Sequence, residues 1–370
     1  MTDRNGNGAR QLLLATTLGI MSIGIACSSP GLRPPPGFSV PVRDLDKKVR
    51  ACPTDAQPYT GDLDFPSKFE GSDKARDDLN REAEKRYKKL IAPIRNMERG
   101  VNQQIEDYMR SGNQASLDCA LKLLRDWSAA DGLMGASRTH TGKSMRKWAL
   151  GTVASSWLRL KFSPTQPLQD DPQLVAQVDA WLDRLAAQVV SEWRDQPLKK
   201  MNNHEYWAAW SVMATSVALN KPEYFEWSMK QFAIGASQID DSGFLANELS
   251  RDTRALYYHN YALTPLLMIA AFAQANHHPI DAQQREALHR LAERILSGVD
   301  DPDAFEKKTG KKQNLKDFKS NSKFAWMEIY CVTLECNDAQ QAHLSRIRPL
   351  KNYRLGGNLT ELFGPSMPSF

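Results

Sequence analysis

The sequence predicts an all-α fold of antiparallel helical hairpins, and three observations carry that prediction. From about Ser72 to Ile295, apolar residues recur three and four positions apart, the spacing that lines one side of an α-helix. No convincing run of alternating apolar and polar residues marks a strand. Short polar turns such as Asn220-Lys221-Pro222 separate the stripes, and so brief a connection folds each helix back on the one before.

In chain order, Arg4 and Arg10 precede an apolar run from Leu12 to Ala26 that is followed at once by Ser28, Ser29 and Pro30. This is the pattern of an export signal over residues 1–27. Its end, Gly24-Ile25-Ala26-Cys27, is similar to a bacterial lipoprotein cleavage site, with Gly24 where a leucine is usual, and would allow a lipid tether at Cys27. No later segment is long and apolar enough to cross a bilayer. Residues 28–60 contain Pro30, Pro34, Pro35, Pro36, Pro41, Pro53 and Pro58, which remove backbone donors and predict an extended arm.

The helical domain, expected over 61–357, then unfolds as a series of stripes. Ile94, Met97, Val101, Ile105 and Tyr108 form one, and Leu117, Leu121, Leu124 and Trp127 the next. Leu150, Val153, Trp157 and Leu160 follow; then come Leu174, Val178, Trp181, Leu182, Leu185 and Val189, opened by Asp171-Pro172 as cap and first-turn proline. Phe225, Met229, Phe232 and Ala236 make a further stripe, before Leu263 to Ala275 and Leu288, Leu291 and Ile295. Residues 314–323 and the stretch from Asn358 are polar or irregular, so 358–370 is expected to be a tail. Hairpins of this number either close into a toroid with inner and outer rings around an open cleft or stack as a solenoid, and periodicity fits both.

Composition narrows the class. With 41% hydrophobic and 25% charged residues, nine Trp, thirteen Phe and ten Tyr, the chain must bury a large core, which excludes disorder as the main state. The formal charge of +5 falls by one when Arg4, Arg10 and Asp3 leave with the signal, so the mature chain is mildly basic and suits an anionic partner. Export favours a polysaccharide over nucleic acid. Cys52, Cys119, Cys331 and Cys336 remain, an even number for an oxidising compartment. Cys331 and Cys336 are close enough to pair across a turn, which leaves Cys52 with Cys119; buried free thiols are the alternative.

The chain has no Gly-rich phosphate loop, no His-Glu-x-x-His helix and no Gly-x-Ser-x-Gly elbow. Its seven histidines show no metal-ligand spacing, so neither metal nor cofactor is expected. Three polar-aromatic segments stand out instead. Ser67-Lys68-Phe69-Glu70-Gly71-Ser72-Asp73 places a cation and hydroxyls before a helix that Ser72 or Asp73 can cap. His140-Thr141-Gly142-Lys143-Ser144-Met145-Arg146-Lys147-Trp148 carries Lys143 and Lys147 one turn apart, giving a basic helix face or an ordinary solvated one. The third comes in two pieces, Asn202-Asn203-His204-Glu205-Tyr206-Trp207 and Arg251 to Tyr261. In a helix, Arg251, Arg254, Tyr258 and Tyr261 share one side. Amide, imidazole, guanidinium and phenol are together what proton removal beside a carboxylate requires.

These strings, with Asn202 to Ser211 and Tyr258-His259-Asn260-Tyr261, occur in order between about Pro41 and Gly357 and resemble the periplasmic alginate lyases of polysaccharide lyase family 5. The resemblance implies an (α/α) toroid and cleavage of poly-mannuronate by β-elimination, leaving 4-deoxy-hex-4-enuronosyl non-reducing ends. It implies Asn203, His204, Arg251 and Tyr258 as the catalytic group, and Ser67, Lys68, His140, Thr141 and Tyr258 as substrate contacts. Lys143 and Arg146 are expected to bind neighbouring sugars through their charge. It further implies a periplasmic role in clearing stray alginate, with the export machinery as a partner. Arg138-Thr139 stand where the family carries an aromatic residue and an asparagine, so local sugar contacts differ.

In this reading Asn203 and His204 bind the C5 carboxylate, Arg251 adds a fixed cation, and Tyr258 moves the proton. Arg251 is expected to lower the phenol from its usual pKa of ~10 by ~2 units, about 2.7 kcal/mol. H5 and O4 lie on the same side of mannuronate, so one group can serve both steps; His204 as base with Tyr258 as acid is the alternative. Two rivals remain: a glycoside hydrolase drawing on Glu205, Glu248 or Asp252, and a non-catalytic protein that binds acidic glycan.

Overall fold

A computed structural model describes residues 31–45, 50–53, 56–69 and 79–365. The export segment with Cys27, and the cap expected at Ser72 or Asp73, lie outside the described residues. The helices are α1 (Arg81–Leu90), α2 (Ala92–Ser111), α3 (Gln114–Ala129), α4 (His140–Lys161), α5 (Pro172–Trp193), α6 (Asn203–Leu219) and α7 (Pro222–Ser237). They continue with α8 (Ala246–Leu249), α9 (Ala255–Ala275), α10 (Ala282–Asp300), α11 (Asp303–Thr309), α12 (Trp326–Tyr330), α13 (Asp338–Ile347) and α14 (Leu359–Phe363). Among the described residues the only sheet is a pair of two-residue strands, Lys351–Asn352 against Gly357–Asn358.

Two kinds of helix alternate. The outer helices α3, α5, α7 and α10 bury a single stripe, as their sequence periodicity predicts. The inner helices α4, α6 and α9 are buried on nearly every side. A helix apolar all round needs neighbours all round, and α6 finds them in α4, α5, α7 and α9. With α2 packed on α3 and α4, the inner ring runs α2, α4, α6, α9, and α12 follows against α9. The architecture is an (α/α) toroid.

Local signals set the helix ends. Asp171 caps α5 through Leu174 N–H ahead of Pro172, and Asn220 ends α6 in the left-handed region before Lys221 and Pro222 turn the chain into α7. Both expected disulfides, Cys52–Cys119 and Cys331–Cys336, are formed.

Three expectations need correction. The proline-rich arm is extended but packed: Phe38 is fully buried, edge-on to Phe272 and Phe363, while Arg33 exchanges hydrogen bonds with the Asn276 side chain. The stretch from Asn358 is no loose tail through Phe363, because Leu359, Leu362 and Phe363 are buried. Residues 353–355 pack against α2 and α4, and α14 against α12 and the 36–38 turn, so the chain's end closes the ring. Residues 314–323 likewise bury Phe318 in short 3₁₀ turns.

Gly142 shows why one motif residue is small. A Cβ there would overlap the Leu63 carbonyl, where residues 63–65 cross the start of α4. Gly142→Ala should therefore cost roughly 1–3 kcal/mol and several degrees in Tm. Gly61→Ala, whose Cβ would meet only the Tyr59 ring at ordinary contact distance, is the control. Equal melting temperatures would refute this account of the crossing.

Candidate active site

Because each inner helix is followed by an outer one running back, the inner helices are parallel and start at the same end of the toroid. A cavity of about 290 Å³ opens there. Ile91 and Arg95 reach it from the start of α2, His140, Thr141, Ser144 and Trp148 from α4, Asn203 and His204 from α6, and Tyr257, Tyr258 and Tyr261 from α9. Arg251 and Arg254 enter from the turn before α9, Ser67 to Phe69 from the crossing segment, and Tyr353 and Arg354 from the closing turn. Helix N-termini carry partial positive charge, so the backbone itself favours an anion here. Lys68, Arg95, Arg251, Arg254 and Arg354 line the wall, and among the described residues no carboxylate does.

The Asn-Asn-His-Glu string forms the start of α6. Asn202 accepts from His204 N–H and the Glu205 carboxylate accepts from Asn202 N–H, a reciprocal cap that leaves Asn203 and His204 on the first turn. Asn203 is fully buried. Its backbone N–H donates to Glu248 Oε1 at 2.7 Å, and its Nδ2 donates to both Glu248 oxygens at 3.0 and 3.1 Å. Its Oδ1 is left with no hydrogen-bond partner.

His204 lies between aromatic rings, stacked on Trp193 at 5.7 Å and edge-on to His140 at 4.2 Å. Lys147 Nζ donates to the His204 carbonyl at 2.7 Å and stands 3.0 Å from Nδ1. Ser144 Oγ lies 3.2 Å from the same nitrogen, with its hydroxyl already donated to the His140 carbonyl. Burial pushes the Lys147 ammonium well below its ordinary range, opposed first by Glu205. A charged Lys147 has hydrogens for both contacts, which would make Nδ1 the acceptor and put the ring proton on Nε2; with a neutral amine, Ser144 Oγ and Lys147 Nζ would both be free to accept from Nδ1–H instead.

Arg251 and Arg254 do not sit on α9 as the helical register predicted. A 3₁₀ turn over Asp252–Arg254 intervenes, and the two guanidinium groups reach the Tyr258 ring at 4.4 and 5.3 Å. Burial pushes the Tyr258 phenol above its ordinary value, and Arg254 and Arg251 pull it back without prevailing. This overturns the expectation of a lowered phenol: the cations are present, but the cost of burying the phenolate exceeds their attraction. The neighbouring motif residues are structural. His259, fully buried, accepts from Leu245 N–H and is pushed down to about 4 by burial, and Asn260 accepts from Trp326 Nε1–H.

Ser67, Lys68, His140, Thr141, Asn203, His204, Arg251 and Tyr258 thus line one cavity. Lys143 and Arg146 do not. Arg146 is buried, donating to the Leu133 and Gly135 carbonyls and paired with Glu192, and Lys147 is equally buried, so the expected basic face of α4 is internal. Lys143 lines a second cavity of about 720 Å³ with Arg138, Lys199 and Lys200, and His140 borders both. Arg138 pairs with Asp64 and Thr139 caps α4 through Gly142 N–H, so neither lines the first cavity. Of the carboxylates considered for hydrolysis, Glu205 and Glu248 are engaged at α6, and neither they nor Asp252 reach that wall. Sequence reasoning missed Arg354. Its guanidinium lies 4.2 Å over the Trp148 ring, donates to Tyr261 OH at 3.3 Å, and stands 3.6 Å from the buried Glu98.

A profile described as alginate lyase matches residues 64–305. The chain is 48% identical over 360 residues to an alginate lyase of Pseudomonas fluorescens strain Pf-5, covering 96% of this chain and 97% of that one. It is 47% identical over 360 residues to the alginate lyase of Cobetia marina, covering 96% of each. Among solved structures, alginate lyase A1-III from Sphingomonas species A1 shares the fold with a TM-score of 0.69 at 20% identity, covering 89% of this chain and 90% of that one. A tetrasaccharide complex of an A1-III variant gives a TM-score of 0.70 at 20% identity, with 87% of each chain covered.

The Lys147 contact has a spectroscopic consequence. In the parent protein the His204 ¹⁵N signals should show a protonated Nε2 and an unprotonated Nδ1. In Lys147→Met the two tautomers should mix, with helical content retained. A tautomer unchanged by that substitution would show that Lys147 does not fix it.

Proposed function

The chain belongs to the alginate lyase family, whose members are polysaccharide lyases, and from that premise we propose that it cleaves the 1,4-glycosidic bonds of poly-mannuronate by β-elimination. The observation that carries this reading is a cavity wall of cations, imidazoles and phenols with no carboxylate among the described residues. Such a wall receives a uronate anion and offers no pair of carboxylic acids for hydrolysis.

The residues divide the work as follows. The sugar carboxylate sits against the start of α6, where His204 Nε2–H donates to it and Arg251 adds positive charge, so the charge that grows on it as H5 leaves is stabilised. Tyr258 oxygen, as phenolate, takes H5; the C5–H electrons form the C4–C5 double bond, the C4–O4 bond breaks, and the phenol proton passes to O4. One group suffices because H5 and O4 share a side in mannuronate. In guluronate they lie on opposite sides and a second base is needed. With its ring proton on Nε2, His204 would lack the lone pair for that task on the side away from Lys147, the case in which mannuronate is preferred and Tyr258 handles the proton.

Lys68, His140 and Thr141 are placed to hold neighbouring sugars, and the second cavity, bordered by His140 and lined by Lys143, Lys199 and Lys200, extends the track for the polyanion. The export signal over residues 1–27 supports a periplasmic location, where the enzyme clears stray alginate during secretion alongside the export machinery.

Near-ultraviolet absorbance of the new double bond should rise rapidly with poly-mannuronate and at least tenfold more slowly with poly-guluronate. Tyr258→Phe should lower that rate by roughly 10²–10⁴-fold with polymer binding retained. Equal rates on the two polymers would exclude the single-phenol geometry.

The raised phenol also sets the sign of the pH dependence. Below the pKa of Tyr258 its phenolate fraction grows tenfold per pH unit, so kcat at saturating poly-mannuronate should climb from about pH 6 to 9. A kcat that falls over this interval would remove the phenolate from the mechanism.

A further inference from the structure

Asn203 is oriented the wrong way for its task. An ionised carboxylate only accepts hydrogen bonds, so Glu248 draws both the Asn203 backbone N–H and the amide Nδ2 to itself. The amide oxygen, turned away from Glu248 and buried, has no partner. Against a sugar carboxylate it would set lone pair against anion, with the charge of Glu248 close behind. Such an arrangement opposes a bound anion.

We infer that Glu248 is a positioning residue that takes up one proton from solvent when a uronate binds, and that this proton reverses the Asn203 amide. Protonated Glu248 has one O–H to give. It donates to Asn203 Oδ1 while its other oxygen continues to accept from the Asn203 backbone N–H, and Nδ2 turns to donate to the sugar carboxylate. The exchange needs only a rotation of the amide, because Glu248 already spans both groups. The inference rests on the proposed binding of a uronate in this cavity.

The surroundings of Glu248 allow the proton. The carboxylate is fully buried. Arg251, on its own segment, favours the ionised form and Glu205 on α6 opposes it; Tyr206 on α6 and Tyr258 on α9 face it as neutral phenols, whose ionisation its charge in turn disfavours. On α11, which also packs on α8, Asp303, Lys307 and Lys308 are exposed and Glu306 accepts from Gln313 N–H. Burial outweighs the favourable contacts and pushes Glu248 up to about 6, so near neutral pH the empty site is mostly ionised and the proton is close at hand.

The test is calorimetric. The Tyr258→Phe enzyme, its turnover slowed by the roughly 10²–10⁴-fold expected above, is titrated with mannuronate tetrasaccharide at pH 7.5 in buffers of different ionisation enthalpy. Close to one proton should be taken up per bound chain. In the Tyr258→Phe, Glu248→Gln double variant the glutamine permanently donates to Asn203 Oδ1 and accepts from its N–H, so uptake should vanish. Should that variant fail to fold, the single variant decides: its uptake must disappear below about pH 5, where Glu248 is already protonated. No uptake at pH 7.5, uptake unchanged by Glu248→Gln, or uptake persisting at low pH would each overturn the inference. Failure of the lyase reading is distinguishable, since the parent enzyme would then form no ultraviolet-absorbing product.

Discussion

The site depends on the parallel inner ring. Once hairpins alternate between inner and outer layers, the inner helices all begin at one end, and their N-terminal dipoles converge on whatever lies there. The cavity is bounded by the starts of α2, α4, α6 and α9, so its preference for an anion is a property of topology before any side chain is counted. Motif residues then occupy first-turn positions: His140 and Thr141 open α4, and Asn203 and His204 open α6. Their backbones are fixed by caps at Thr139 and Asn202, which gives short polar side chains defined directions.

Burial at the site creates a second constraint. Isolated charges are expensive inside a protein, so cations near the cavity need counterions. The fold supplies these from behind the wall. Glu98 faces Arg354, and Asp317 holds Arg254 at 3.0 Å. Each carboxylate orients a cation without entering the space a uronate would fill. The same burial acts on neutral groups, holding Tyr258 as a phenol and His259 as a neutral imidazole.

Much of this was legible in sequence, for identifiable reasons. Stripes at helical spacing report burial of one side, so the outer helices α3, α5, α7 and α10 could be read directly. The segment from Leu263 to Ala275 could be recognised as deeply buried because it is apolar all round. The motif around Asn203 is local and so remained visible. Charge was misread where burial depended on a distant partner: Arg146 and Lys147 look like a solvated face until Glu192, from α5, and His204, from α6, are brought beside them. Arg354 was missed because its neighbours Glu98, Trp148 and Tyr261 come from three separate helices. The segment from Asn358 looked like a tail because five helical residues are too few for a periodic signal.

That no described residue brings a carboxylate to the wall bears on how a polymer would be held. In a polyuronate every sugar carries a charge, so a site that neutralises one carboxylate must still accommodate the next. A counterion within the track would repel it; one behind the track would only weaken the attraction. The first cavity follows the second arrangement. In the second cavity Glu192 and Glu205 do line the surface, but Arg146 engages one and the α6 cap the other, while Lys143, Lys199 and Lys200 remain on that surface. Cations therefore continue past His140 into the second cavity. A pinned counterion would nevertheless take back part of the field at a sugar carboxylate bound there, most of all at Asn203, where Glu248 lies directly behind the amide. In the proposed elimination, a proton delivered to that one anion would restore the field where charge develops, without moving the helices that define the site.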